Sequence, residues 1–223
     1  MASVVLGPAS YPEEMRARKR TWRIGGILLG VAGVLTLLAG QYMLSAFALR
    51  VVIDLVWASG VLVFAVGLSR DASVVVRRPL GMTALIIVAV TPLVSDGVVL
   101  ALPEVRSPDD PAAVAASVVS WGGTIVSLAA GLVAAVQIAR LGGVPRRWRL
   151  MPMWALCVSV GAAALQYALV AILFGAGAGQ DVLVAANMIG VLSLLAPTLG
   201  LGVVALVAAA SERPDSVDVY RPV

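Results

Sequence analysis

Six long apolar runs, separated by short polar segments, form the main pattern of this 223-residue chain. The runs are continuous rather than alternating, and each is long enough for a helix of about 20 residues to cross a bilayer. Because lipid offers the backbone no hydrogen-bond partners, runs of this kind are expected to be helices. The pattern predicts six membrane spans, at residues 22–43, 51–68, 80–102, 113–138, 150–175 and 182–209.

These spans predict an all-α, polytopic membrane protein whose six transmembrane helices form one bundle over residues 22–209. Residues 1–21 are expected to be a cytoplasmic segment that is basic at its end, and residues 210–223 a disordered cytoplasmic tail. The first apolar run is longer than the core of about 7–15 residues in a signal peptide, so we interpret it as a retained span. The composition agrees, because 13% of the residues are charged, against about a quarter in soluble domains.

The basic residues predict how the spans are oriented. Of the 16 Lys and Arg residues, all but Arg50 and Arg106 lie in segments that would share one side of the membrane. Since cytoplasmic loops are enriched in Lys and Arg, both termini are expected in the cytoplasm. A basic cluster before the first span is interpreted as a signal for this orientation, with a contact to anionic lipids as the sharper alternative. The cluster consists of Arg16, Arg18, Lys19 and Arg20.

The aromatic residues and the overall composition predict where the protein resides. Three tryptophans fall near the predicted cytoplasmic boundary, where an aromatic belt is expected: Trp22, Trp148 and Trp154. The high content of Ala, Val, Leu, Gly and Arg resembles that of proteins from GC-rich bacteria. We therefore expect a multi-pass protein of the cell membrane, namely a bacterial inner or plasma membrane.

Several absences narrow the range of functions. The chain has no histidine, which removes the commonest metal ligand and the commonest general base. It carries no nucleotide-binding loop or other catalytic motif, so we expect no enzymatic activity, no cofactor and no metal. The one cysteine, Cys157, is expected to be a small packing residue. The expected partners are the lipid bilayer and a further copy of the chain or another membrane protein, but no nucleic acid.

Small residues and caps predict details of the bundle. Small residues four positions apart allow helices to approach closely, and the candidate packing positions are Gly26, Gly30, Gly123, Ser127 and Gly131. The last three belong to a stripe of small residues on the fourth span, which is expected to face another helix. Asp109 or Asp110 is expected to cap that helix, with Pro111 at its first position.

Polar residues within the spans lie near the predicted outer end of the bundle. With a rise of about 1.5 Å per residue, Asp96 is about 24 Å from the cytoplasmic start of its span, which places it in the outer half of the bilayer. Other polar side chains fall at a similar depth in the other spans. The candidate ligand- or ion-binding residues of this polar layer are Asp54, Asp96, Arg50, Gln166 and Asn187.

Three interpretations of the polar layer stay open. In the first, its side chains hold helices together. In the second, they line an outward-facing cavity, because intramembrane carboxylates are costly and usually face a bundle interior or water, and Pro92 and Pro197 would free backbone carbonyls nearby. The third, lipid-linked chemistry, is disfavoured by the lack of histidine. The sequence thus predicts a non-enzymatic membrane protein, such as a structural or accessory subunit of a membrane complex. The alternative is a small-solute or cation- or proton-coupled transporter.

Overall fold

The protein folds entirely into helices over the residues that its structure, a computed structural model, describes. These are residues 11–41, 47–67, 73–75, 78–103, 107, 110–141, 148–175 and 180–211. They contain no strand, and six of their helical stretches are long and apolar enough to cross a membrane. The predictions of an all-α fold and of six helical stretches able to span a membrane are therefore confirmed for these residues.

The six spans are built from seven α-helices. They are α1 (Tyr11–Gln41), α2 (Phe47–Val66), α3 (Pro79–Ala101), α4 (Pro111–Leu141), α5 (Met151–Gly175), α6 (Gln180–Leu195) and α7 (Leu201–Ser211). A π-helical turn, Ala196–Gly200, joins α6 to α7, so these two helices form the sixth span. The predicted tail lies outside the described residues beyond residue 211.

Two helix starts relate directly to the sequence predictions. α1 begins at Tyr11, so the basic cluster before the first predicted span belongs to the first turns of this helix. At the start of α4, the side chain of Asp110 accepts a hydrogen bond of 3.0 Å from the backbone N–H of Ala112. This confirms Asp110 as the cap, with Pro111 at the first helical position.

The spans form a closed ring in which neighbours run antiparallel, in the order α1, α2, α3, α4, α5 and the α6–α7 span. Extensive contacts join α1 to α2, α2 to α3, α3 to α4, α5 to α6, and α1 to α7. The contact between α4 and α5 is much smaller than any of these. We call it the α4–α5 seam. The ring therefore depends on the α1–α7 contact to join its first four spans to its last two.

The two ends of the ring carry different charges. α3 and α5 begin at one end, which holds Arg78, Arg140 and Arg149 and is called the basic end below. The other end, the acidic end, holds Asp54, Asp96 and the Asp110 cap at the start of α4, together with one arginine, Arg50. This separation follows from the sequence, because the antiparallel order brings alternate loops to the same end of the bundle.

Glycines allow α1 and α7 to approach at backbone distance. A Cβ atom added at Gly202 would lie 2.8 Å from the carbonyl oxygen of Gly26 and 3.0 Å from the backbone nitrogen of Gly30. Since both neighbours are backbone atoms, a side chain at Gly202 cannot be accommodated by a change of rotamer. The small-residue step at Gly26 and Gly30 thus lies at the contact that closes the ring.

A short buried segment ends α2 at the basic end. Gly67 has a φ of 65°, a left-handed conformation that turns the chain out of the helix. The hydroxyl of Ser73 then donates a hydrogen bond of 2.6 Å to the carbonyl oxygen of Ala65, and the N–H of Val74 donates to Phe64. Residues 73–75 are all buried, and Val75 is completely so. They therefore pack against the inner side of the ring at its basic end.

The outward surface of the ring is apolar. Val118, Ile125 and Ile172 each expose about two thirds of their area. An apolar surface of this extent is unusual for a soluble monomer and is suited to lipid. Cys157 is also exposed, on α5, so the prediction that it is a packing residue is wrong. Sequence position alone could not reveal the face of α5 on which it lies.

Replacing Gly202 by alanine should weaken the α1–α7 contact. We expect a loss of about 1–3 kcal/mol in the free energy of unfolding, because the added Cβ meets backbone. The matched control is Gly161→Ala on α5, where nothing lies within 4 Å and alanine should stabilise the helix by up to about 1 kcal/mol. Denaturation of the purified protein in detergent measures both. Equal stability of the two variants would show that the close approach is absent.

Candidate functional site

A cavity of about 300 Å³ lies at the centre of the ring. All six spans contribute to it, and half of its lining comes from α4, α5 and the adjoining Trp148. Its lining residues are apolar except for Ser127, Ser159 and three tryptophans. The volume falls at the lower end of the range of about 300–1,000 Å³ that small-molecule sites occupy. We call it the central cavity.

Aromatic side chains form the wall of the central cavity on several sides. They are Trp22 on α1, Trp57 and Phe64 on α2, and Trp148 just before α5. The rings of Trp22 and Phe64 meet edge to face, with centroids 6.2 Å apart. Phe64 lies directly on the backbone of α1, because a Cβ at Gly25 would be 2.6 Å from its ring. Packing of this kind fixes the aromatic wall in place.

The prediction of an aromatic belt was wrong for two of its three tryptophans. Trp22 is only 7% exposed, and both Trp22 and Trp148 line the central cavity. Trp154 is 64% exposed on the outside of α5, as a belt residue would be. Proximity to a span boundary gives the depth of a residue but not the direction in which it points.

Two clusters of buried apolar residues flank the central cavity. The first, at the basic end, joins Trp22, Val74 and Ile138 with alanines of α7. The second joins Leu29, Val61 and Ala89 across α1, α2 and α3. Members of both clusters also line the cavity. The cavity therefore lies beside both packed clusters of the bundle.

Pro197 interrupts the sixth span beside the central cavity. Proline has no N–H, so it cannot donate the usual helical hydrogen bond to the carbonyl oxygen of Ser193, four residues earlier. The hydroxyl of Ser159, on α5, donates to that carbonyl over 2.6 Å. Thr198 donates in turn to the carbonyl of Leu194 over 2.7 Å. The break that proline causes is thus stabilised from a neighbouring helix, and both Pro197 and Ser159 line the cavity.

The structure brings three residues of the predicted polar layer together. Asp54 on α2 and Asp96 on α3 are both half-buried, and Arg50 is exposed one turn from Asp54. Asp54 interacts electrostatically with Asp96 and with Arg50. None of the three lines the central cavity, which lies nearer the basic end. The polar layer and the cavity are therefore two separate features.

The remaining polar candidate with a described side chain lies at a helix contact. Gln166 on α5 occupies the space that a Cβ atom at Gly190 of α6 would fill. It thus packs between α5 and α6 instead of joining the acidic pair. The side chain of Asn187 lies outside the described residues, although its backbone belongs to α6.

The stripe of small residues on α4 contacts two neighbouring helices, α3 and α5. Near the acidic end, Gly123 packs against the side chain of Ser95 on α3. Further along, Ser127 and Gly131 line the central cavity, and a Cβ at Gly131 would lie 3.4 Å from Leu156 of α5. Part of the stripe therefore contacts another helix, and part of it leaves space at the centre of the ring.

The groups present do not form a metal centre within the described part of the chain. No set of three or more His, Cys, Asp or Glu side chains comes together there. The central cavity offers hydroxyls, indoles and hydrocarbon, which suit an apolar molecule rather than an ion.

Family models, curated proteins and solved structures give no match to the chain.

Replacing Ser159 by alanine should remove the hydrogen bond that compensates for the missing N–H of Pro197. The carbonyl of Ser193 would lose its donor, at an expected cost of about 1 kcal/mol in the free energy of unfolding. In a Pro197→Ala background the helix regains its own N–H donor, so Ser159→Ala should then cost less. A double-mutant cycle from denaturation in detergent measures this difference. Additive effects of the two substitutions would contradict the role of Ser159 as the donor that replaces the missing N–H of Pro197.

Proposed function

We propose that this chain is a non-enzymatic, multi-pass membrane protein whose central cavity binds an apolar molecule taken from the bilayer. The observation that carries the proposal is the cavity itself, which is lined by residues of all six spans and is almost wholly apolar. An apolar cavity surrounded by lipid favours hydrocarbon over water, because its lining offers few hydrogen bonds. We therefore propose that the molecule enters from the membrane rather than from solution.

The proposed orientation places the basic end in the cytoplasm. Support comes from the uneven distribution of Lys and Arg along the sequence, which matches the rule for cytoplasmic loops. The composition favours a bacterial inner or plasma membrane. A structural or accessory role in a membrane complex is compatible with this proposal, because the apolar outer surface of the ring can contact a protein partner or a second copy as well as lipid.

A second candidate function is a cation or proton site at the acidic end. It is favoured by the electrostatic interaction between Asp54 on α2 and Asp96 on α3. Two carboxylates in a medium of low polarity repel each other, and a bound cation or proton would reduce that repulsion. This site would serve the cation- or proton-coupled transporter that the sequence offers as the alternative function.

Binding in the central cavity can be measured through its own tryptophans. Of the five tryptophans, only Trp121 and Trp154 are exposed on the outside, at 53% and 64%. The variant Trp121→Phe/Trp154→Phe keeps the three that line the cavity. We expect bromododecane, an apolar quencher, to reduce its fluorescence with a saturable dependence on concentration. Adding Ala135→Phe to this variant places a ring in the cavity. It should raise the bromododecane concentration that gives half-maximal quenching by about tenfold or more.

The matched control for this experiment is Ala129→Phe. Ala129 lies on the same helix, but it is exposed on the outer surface. Ala129→Phe should therefore leave quenching unchanged. Ala135, in contrast, is 3% exposed and lines the cavity. Quenching that rises linearly without saturation, and is equal in both variants, would mean that the cavity does not bind apolar molecules.

The acidic site has its own test, in a Cys157→Ser background that removes the exposed native thiol. Cysteine at position 54 or 96 should react with a membrane-impermeant thiol reagent added to intact cells, if the acidic end opens to the outside. Cysteine at position 118, which is 65% exposed on the lipid-facing surface of α4, is the control expected to stay unlabelled. Failure of both aspartate positions to react, while an outer-loop cysteine at position 106 does, would remove the transporter alternative and favour a packing role.

A further inference from the structure

We propose that the occupant of the central cavity is the hydrocarbon chain of an anionic amphiphile, whose head group is bound by Arg140 and Arg149 at the basic end of the α4–α5 seam. This inference rests on the proposed function, because it names the class of apolar molecule that the cavity binds. It is drawn from three features of the described residues: the seam, the charge at its end, and the length of the cavity.

The α4–α5 seam is the side from which a chain can reach the cavity. Near the acidic end the seam is held by Trp121 and Tyr167, whose ring centroids are 5.5 Å apart. Further along, Gly131 lies against Leu156. Beyond this point α4 presents small side chains to the cavity, notably Ala135. Since α4 and α5 make the least extensive contact in the ring, separating them there disturbs less packing than separating any other pair.

Positive charge is concentrated where this seam reaches the basic end. Arg140 lies in the last turn of α4, two residues after the cavity-lining Ile138. Arg149 lies between Trp148 and α5, and its Nε atom is buried with no hydrogen-bond partner among the described residues. A phosphate or carboxylate head group would supply the missing acceptor, because the guanidinium binds such oxygens in pairs.

The length of the cavity fits one hydrocarbon chain. Its lining on α5 runs from Met151 to Ser159, which corresponds to about 12 Å at the helical rise. A lipid chain occupies half of the hydrocarbon core of about 30 Å, that is about 15 Å. A chain that enters beside Arg149 would therefore lie along the cavity and end near Pro197. Its head group would remain at the level of the two arginines.

Lipids with brominated chains and different head groups test this inference. The probes are brominated phosphatidylglycerol, phosphatidylcholine and diacylglycerol, added in mixed micelles to the Trp121→Phe/Trp154→Phe protein. We expect phosphatidylglycerol to quench the cavity tryptophans at a concentration about tenfold lower than the other two, since each arginine near an anionic head group contributes about 1 kcal/mol. Arg140→Gln together with Arg149→Gln should abolish that preference.

The control removes the same charge from the same end of the bundle. Arg16→Gln with Arg20→Gln changes two exposed arginines on α1, away from the seam, and should leave the preference intact. If both double variants lose the preference equally, or if the three lipids quench alike, the head-group assignment is wrong while binding of an apolar chain stands. If bromododecane quenches and none of the lipids does, the ligand is not a lipid chain. If bromododecane also fails to quench, the proposed function itself fails.

Discussion

The approach of α1 and α7 at Gly26 and Gly202 is the contact on which the rest of the structure depends. Consecutive spans pack well from α1 to α4, and again from α5 to α6, but α4 and α5 make little contact. Without the glycine contact, the first four spans and the last two would be joined mainly across the α4–α5 seam. Between α1 and α7, backbone atoms meet at distances that only glycine permits. Small residues thus close the ring on one side and leave the opposite side weakly packed.

The use of small residues at helix contacts also explains why the centre of the ring is not filled. Glycine and serine draw the helices together in pairs, at Gly202 for α1 and α7 and at Gly123 for α3 and α4. Small residues that point inward, such as Gly131 and Ala135, cannot reach across the bundle. Rigid aromatic side chains held by contacts such as that between Trp22 and Phe64 do not collapse into the remaining space. The central cavity follows from this combination of tight pairs and short inward side chains.

Local features of the fold could be predicted from the sequence, whereas the site could not. The length of an apolar run determines whether a helix can cross a membrane, and the Asp110 cap depends on its immediate neighbours, so both predictions were confirmed. The cavity depends on which face of each helix turns inward. Helices that are apolar on all sides carry no such signal, so Trp22 and Trp148 were assigned to the membrane boundary instead. Ser159 could have been inferred only by asking which residue satisfies the carbonyl that Pro197 leaves free.

The polar layer and the central cavity divide the ring into two chemically distinct parts. Asp54 and Asp96 share the acidic end, while hydrocarbon and indole surround the cavity. The central claim is that this cavity holds an apolar chain that comes from the membrane. A structure determined by electron microscopy in lipid nanodiscs, with a bound antibody fragment to add mass, tests it most directly. The account predicts continuous elongated density among Trp22, Trp57 and Trp148 that leads out between α4 and α5. Side chains that fill the same space, with the α4–α5 seam fully packed, would contradict it.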